Sequence, residues 1–167
     1  MSALRIACIV LLAGCATACG DETQAKECLQ HRDPKRQAEA CTQVIAAKPK
    51  SPEAYNNRCF AHNELQQYDK SISDCNMSIK LDPRNASAFN NRGVAYEMTG
   101  EFDKALADYT KAVGLYPEFA TAIANRGDVY SKKNDKDRAI AEYRRALAIE
   151  PNNEIAVNGL KRLGARP

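Results

Sequence analysis

Four prolines, Pro49, Pro83, Pro117 and Pro151, stand 34 residues apart, and that interval constrains the fold more than any other feature of the 167-residue chain. The same offset relates Asn57-Arg58, Asn91-Arg92 and Asn125-Arg126, the acids Asp69, Asp103 and Asp137, the acids Asp74, Asp108 and Glu142, and the aliphatics Leu81, Leu115 and Ile149. A unit repeated at fixed period cannot bury its apolar face alone and does so against its neighbours, so the chain predicts a stacked array of like units. Inside each unit the apolar spacing is helical. Tyr55 and Cys59, Phe89 and Gly93, and Ile123 and Gly127 are four apart and share one helix face. A break follows near Gln66, Gly100 and Asn134, where Gly and Asn can take the left-handed backbone that closes a helix. A second face then runs through Tyr68, Ser71, Cys75 and Ser78, repeated as Phe102, Ala105, Tyr109 and Ala112, and as Ala139, Tyr143 and Ala146. Each proline ends that second helix, because it disfavours helical backbone in the residue before it.

A 34-residue unit of two helices, with bulky residues at 55, 89 and 123 and small ones at 59, 93 and 127, resembles the tetratricopeptide repeat (TPR). The resemblance implies an all-α, right-handed TPR solenoid of antiparallel helix pairs over residues 52–85, 86–119 and 120–153. Residues 25–51 read as a degenerate first hairpin, with helices over 22–32 and 35–48 around Asp33-Pro34 and a shorter turn. Residues 154–167 hold a capping helix and tail, its apolar face Ala156, Val157, Leu160 and Leu163. Two departures stand out. Lys136 takes the place of Tyr68 and Phe102, and arginine stands at 58, 92 and 126 where the family carries a leucine-like residue. The third unit is therefore expected to pack less tightly.

The N-terminus has a different character. Arg5 precedes an apolar stretch from Ile6 to Ala13, far short of the roughly 20 residues that span a bilayer, and this is a signal-peptide pattern over residues 1–14. Leu12-Ala13-Gly14-Cys15 resembles the lipobox of bacterial lipoproteins, which implies acylation of Cys15 and anchoring at the outer membrane of the periplasm. Ala16-Thr17-Ala18 offers an alternative secretory cleavage site that would release a soluble periplasmic or secreted protein. Residues 15–24 are small and polar and suit a tether. Removal of the signal leaves 23 basic against 21 acidic residues, a charge of +2.

Seven cysteines then divide by position. Cys8 leaves with the signal, Cys15 takes the lipid and Cys19 is left in the tether. Cys28 and Cys41 bracket the Pro34 turn, and Cys59 and Cys75 bracket the turn at Gln66-Gln67. In antiparallel hairpins these positions face one another, and an oxidising compartment favours disulfides between them. The alternative is four buried thiols packing as small apolar residues.

In the TPR family the first helices of the pairs line a concave groove that receives a peptide. Those positions hold Asn56, Asn57, Phe60, Asn63 and Glu64; Asn90, Asn91, Val94, Glu97 and Met98; and Asn125, Asp128, Ser131 and Lys132. Asn57, Asn91 and Asn125 resemble the asparagine ladder of the O-linked N-acetylglucosamine transferase TPR domain. A side-chain amide can pair with the backbone of an extended peptide without reading its sequence, or it can bond a neighbouring helix instead. The chaperone-type clamp that captures a C-terminal carboxylate needs a lysine and an asparagine in the first repeat's groove and basic residues in the third's, and those places hold Asn56, Phe60, Thr121 and Asn125. Arg58, Arg92 and Arg126 are expected to pair with acids of adjacent helices.

The net charge of +3 is spread along the chain, which disfavours nucleic acid as a partner. With only His31 and His62, and with no metal-ligand spacing, phosphate loop or nucleophile elbow, the chain reads as neither an enzyme nor a cofactor protein, and no small-molecule substrate is expected. The reading is a protein-binding scaffold or adaptor of the bacterial cell envelope. Its alternatives are an assembly factor for an outer-membrane or secretion complex and a regulatory subunit of an envelope enzyme.

Overall fold

In the computed structural model, which describes residues 22–30 and 33–166, the described residues form nine helices and no strand. α1 covers residues 22–29 and α2 Pro34–Ala47. Three hairpins follow: α3 Pro52–Glu64 with α4 Tyr68–Leu81, α5 Ala86–Met98 with α6 Phe102–Leu115, and α7 Ala120–Lys132 with α8 Lys136–Ile149. α9, Glu154–Arg162, closes the array. The signal segment, Cys8, Cys15, Cys19 and His31 lie outside the described residues, and α1 begins within the segment expected as a tether.

Local chemistry sets the boundaries. The side chains of Asp33, Ser51, Asn85, Asp135 and Asn153 accept backbone N–H groups at the starts of α2, α3, α5, α8 and α9. Pro34 and Pro52 sit in first turns, where the missing N–H has no partner to lose. The residues before the four periodic prolines, Lys48, Asp82, Tyr116 and Glu150, all leave the helical region, with φ of −132°, −135°, −136° and −128°. Between the helices of each pair, Gln66, Gly100 and Asn134 take left-handed backbone with φ of 57°, 81° and 61°. Gln66 does so although its side chain disfavours that region.

Consecutive odd helices α3, α5, α7 and α9 touch one another, whereas consecutive even helices do not. The stack is therefore closer on the odd side and bends toward it, which makes the odd helices the concave layer.

Within each pair the close approach is built from small residues. A Cβ added to Gly93 would lie 2.7 Å from the Tyr109 ring, and one on Gly127 2.8 Å from Tyr143. Gly159 of α9 also lies against Tyr143, and a Cβ added there would overlap the ring. Both tyrosines are fully buried. The expectation of a looser third unit is overturned. The largest apolar cluster joins Ala122, Ile123, Ala124, Ala139, Tyr143 and Ala146 of that unit to Leu160 and Ala156 of α9. Tyr68 and Phe102 are only half-buried, so their replacement by exposed Lys136 removes little.

The cysteine pairs form disulfides. Cys28–Cys41 ties α1 to α2 across a Cα–Cα distance of 4.7 Å, and Cys59–Cys75 ties α3 to α4 across 5.4 Å. All four residues are buried. Closing loops of 13 and 16 residues stabilises by about 3 kcal/mol each in the chain-entropy account.

Two glycine substitutions should act with opposite signs. Gly127→Ala gains helix propensity but drives a methyl into a ring already held by Gly159, so it should destabilise by about 1–2 kcal/mol net. Gly114→Ala, with nothing within 4 Å of the added atom, should stabilise by about 0.5–1 kcal/mol. Denaturant titration of both variants measures this, and equal shifts in one direction would contradict the packing described.

Candidate functional site

The arginines at 58, 92 and 126 stand between the layers. Arg58 donates from Nε to Asp74 Oδ2 at 2.8 Å and from Nη2 to Oδ1 at 2.7 Å, and Arg92 grips Asp108 in the same way at 2.7 Å for both bonds. Arg126 donates from Nη2 to both oxygens of Glu142. Each arginine also reaches the outer helix of the preceding hairpin, through Nη1 to Thr42, Asn76 and Thr110 in turn. Hydrogen bonding to these carboxylates holds the Arg58 and Arg92 guanidinium groups further above their ordinary pKa. Their positive charges are thus matched internally, and the pairing with acids expected for them is what the structure shows.

The concave face is laced by side chains reaching between successive units. Asn91 Nδ2 donates to Asn56 Oδ1 at 3.0 Å, and Asn125 Nδ2 to Asn90 Oδ1 at 3.1 Å. Asn63 Nδ2 donates to the Asn91 carbonyl at 2.7 Å. Nearer the C-terminus the links are ionic. Lys132 Nζ meets Glu97 at 2.8 Å, and Arg162 Nη2 meets Asp128 at 2.6 Å. These acids also accept from the buried tyrosines: Tyr109 Oη donates to Glu97 at 2.7 Å and Tyr143 Oη to Asp128 at 2.6 Å. Burial first, and then these carboxylates, push both phenols up, so both stay protonated and donate to the acids, while Tyr143 Oη also accepts from Arg162 Nη2 at 3.3 Å.

The predicted groove residues therefore separate into two sets. Asn90 and Asn125 are 7% and 8% exposed and bonded to each other. Asn56 and Asn91 form a second rung, and Asp128 is held by Tyr143 and Arg162. Of the two uses open to the ladder amides, bonding between helices is taken up at Asn91 and Asn125. Asn57 makes no such bond among the described residues. It shares the face with half-buried Phe60 and Val94 and with exposed Met98 and Glu64. The pairing partners Asn56, Asn90, Glu97 and Asp128 each lie 34 or 35 residues before their donors, a spacing that marks the contacts only once the stacking of the inner helices is known.

His62 occupies the place of Tyr96 and Tyr130 and lies beside the first clamp, its Nε2 3.6 Å from Asp74 Oδ2. Its buried Nδ1 has no hydrogen-bond partner among the described residues. Burial lowers its pKa, with Asp74 opposing and Arg58 and Lys70 adding to the effect. The folded state thus binds fewer protons than the unfolded chain, so this contribution is fully present above a pH of about 6.5 and is lost as pH falls through the lower folded value. Denaturant titrations between pH 7.5 and 5 should show the wild type losing more stability than His62→Tyr. Parallel losses in the two proteins would refute the assignment.

Family models of the tetratricopeptide repeat match residues 52–85, 86–119 and 120–153. Among solved structures, the Arabidopsis OM64 TPR domain is 29% identical with a TM-score of 0.65, over 67% of this chain and 93% of that one. The first TPR domain of Spaghetti (RPAP3), solved bound to the HSP90 peptide SRMEEVD, is 26% identical with a TM-score of 0.64, over 68% of this chain and 90% of that one. TTC0263, a thermophilic TPR protein of Thermus thermophilus, has a TM-score of 0.70 at 22% identity, over 86% of this chain and 77% of that one, and shares the fold. No curated protein matches the chain.

Proposed function

The chain belongs to the tetratricopeptide repeat family, an all-α, right-handed solenoid typical of protein-binding scaffolds, and we propose that its concave face receives an extended segment of another protein. The observation that carries the reading is the Asn57 amide, without a hydrogen-bond partner among the described residues, on the same face as Phe60, Val94 and Met98. An amide offers a donor and an acceptor to peptide backbone, and the apolar neighbours offer contact area to its side chains. The ligand differs in kind from a peptide ending in a clamped carboxylate. Asn56, Phe60, Thr121 and Asn125 supply no cation, and Lys132 and Arg162 are already opposed by Glu97 and Asp128.

The place of action in this proposal is the bacterial cell envelope. The signal-like segment, the lipobox at Leu12 to Cys15 and two disulfides support it, since disulfides persist in oxidising compartments. None of the helices among the described residues is long and apolar enough to cross a membrane. Lipid on Cys15 would hold the solenoid at the membrane surface, where it acts as a scaffold or adaptor with no catalytic step of its own. Mass spectrometry of the mature N-terminus should find acylated Cys15, and an unmodified N-terminus beyond it would overturn the anchor.

A photo-crosslinking residue placed at Val94 or Met98 should capture a protein partner in cells, and Asn57→Ala should weaken that partner's binding by about 0.5–1.5 kcal/mol without lowering Tm. Asn125→Ala should lower Tm because it breaks a rung. Capture that is indifferent to substitutions at Asn57, Phe60 and Val94 would place the partner elsewhere on the protein.

A further inference from the structure

The two disulfides occupy the position that a glycine and a tyrosine fill in the later hairpins. Gly93 with Tyr109 and Gly127 with Tyr143 are each 16 residues apart, and Cys59 with Cys75 is the same pair of positions one repeat earlier. Cys28 with Cys41 is its counterpart in the first hairpin, 13 residues apart because the turn is shorter. Where the tyrosine is present its ring brings on the order of 200 Å² of surface into the layer interface. Where it is absent the interface is small and partly polar. One cluster consists of Cys28, Ala40, Cys41 and Ala54, another of Cys59, Cys75 and Ala88. Ser71 and Ser78, both fully buried, stand where the later hairpins have Ala105 and Ala112, and Ala139 and Ala146. The C-terminal hairpins and α9 share the large cluster around Tyr143, Ile123 and Leu160.

We propose that oxidation state divides this fold in two: residues 22–81 take up their packed hairpins only when Cys28–Cys41 and Cys59–Cys75 have closed, whereas residues 86–163 fold from the dithiol chain. Closure is a thiol–disulfide exchange. Each cysteine pair gives up two electrons and two protons to a disulfide-bearing oxidant, which leaves as its dithiol while the S–S bond forms. Because repeats of a solenoid contact only their neighbours, the consequence of an open pair stays local. Once closed, each cystine is buried beneath its own hairpin, out of reach of a reductant until that hairpin opens. The device therefore withholds the half of the concave face that carries Asn56, Asn57 and Phe60 until the chain has met an oxidant.

The test uses the full chain refolded from denaturant with or without a phosphine reductant, with thiol state checked by mass labelling and amide exchange read by mass spectrometry. In the reduced chain, amides of α2, α3 and α4 should exchange at least about tenfold faster than in the oxidised protein, while α6 to α9 keep their protection. Unchanged protection in α2 to α4 would overturn the proposal, and so would loss of protection throughout. A second arm compares Cys59→Gly/Cys75→Tyr with Cys59→Ser/Cys75→Ser under reductant. The Gly/Tyr pair should restore protection to α3 and α4 and the Ser pair should not, and equal exchange in the two variants would sink the equivalence of the positions.

Discussion

The two helices of each hairpin are joined across one equivalent pair of positions, and what stands there shapes how the layers and the concave face are built. Where a glycine faces a tyrosine, the ring fills the interface and its hydroxyl emerges at the inner face to donate to Glu97 or Asp128. That bond orients a carboxylate to which Lys132 or Arg162 of the next inner helix can reach. Where cysteines face one another, a covalent bond replaces the ring and no hydroxyl emerges. The ionic lacing of the groove is therefore confined to its C-terminal half, and the N-terminal half presents amides and apolar groups.

The arginine clamps couple successive hairpins. Each guanidinium joins an inner helix to the outer helix of its own hairpin and to that of the preceding one, a three-way junction for which leucine has no equivalent. The side chains of Arg92 and Asp108 are 19% and 8% exposed. Their partial desolvation makes loss of one partner costly, of the order of 3 kcal/mol for a buried pair, while the intact pair adds much less. The clamps thus enforce the register of the stack more than they add to its stability. Their guanidinium charges are set against acids of the chain's own helices.

Most of the architecture was legible because its causes are local. A proline acts on the residue before it, and a left-handed turn acts on one backbone position, so 34-residue spacing of these signals placed the helices to within a residue or two. The facing cysteines were legible because a hairpin is nearly symmetric about its turn. The rungs of the groove were not, since they join residues one repeat apart whose identities follow no rule of the family. Asn91 needs Asn56, and Lys132 needs Glu97. The density of the third hairpin was misread for a related reason. The absent aromatic at Lys136 was a position that contributes little, while the decisive contact, Gly159 against Tyr143, comes from the terminal helix and lies outside the repeat period.

In the proposed binding mode these rungs bear on recognition as well as on stability. Each fixes the distance between successive inner helices through a bond of about 3 Å, so the width of the concave face is set before any ligand arrives. A surface held in this way loses little conformational freedom on binding, which leaves more of the contact energy available as affinity. It also means that residues forming the rungs discriminate poorly between ligands, because their hydrogen bonds are already made. In the proposed binding mode, discrimination would fall to the side chains between the rungs, Asn57, Phe60, Val94 and Met98, which vary in size and polarity from one inner helix to the next. Under that proposal the scaffold and its selectivity would be carried by different residues of the same helices, so that changing one set need not disturb the other.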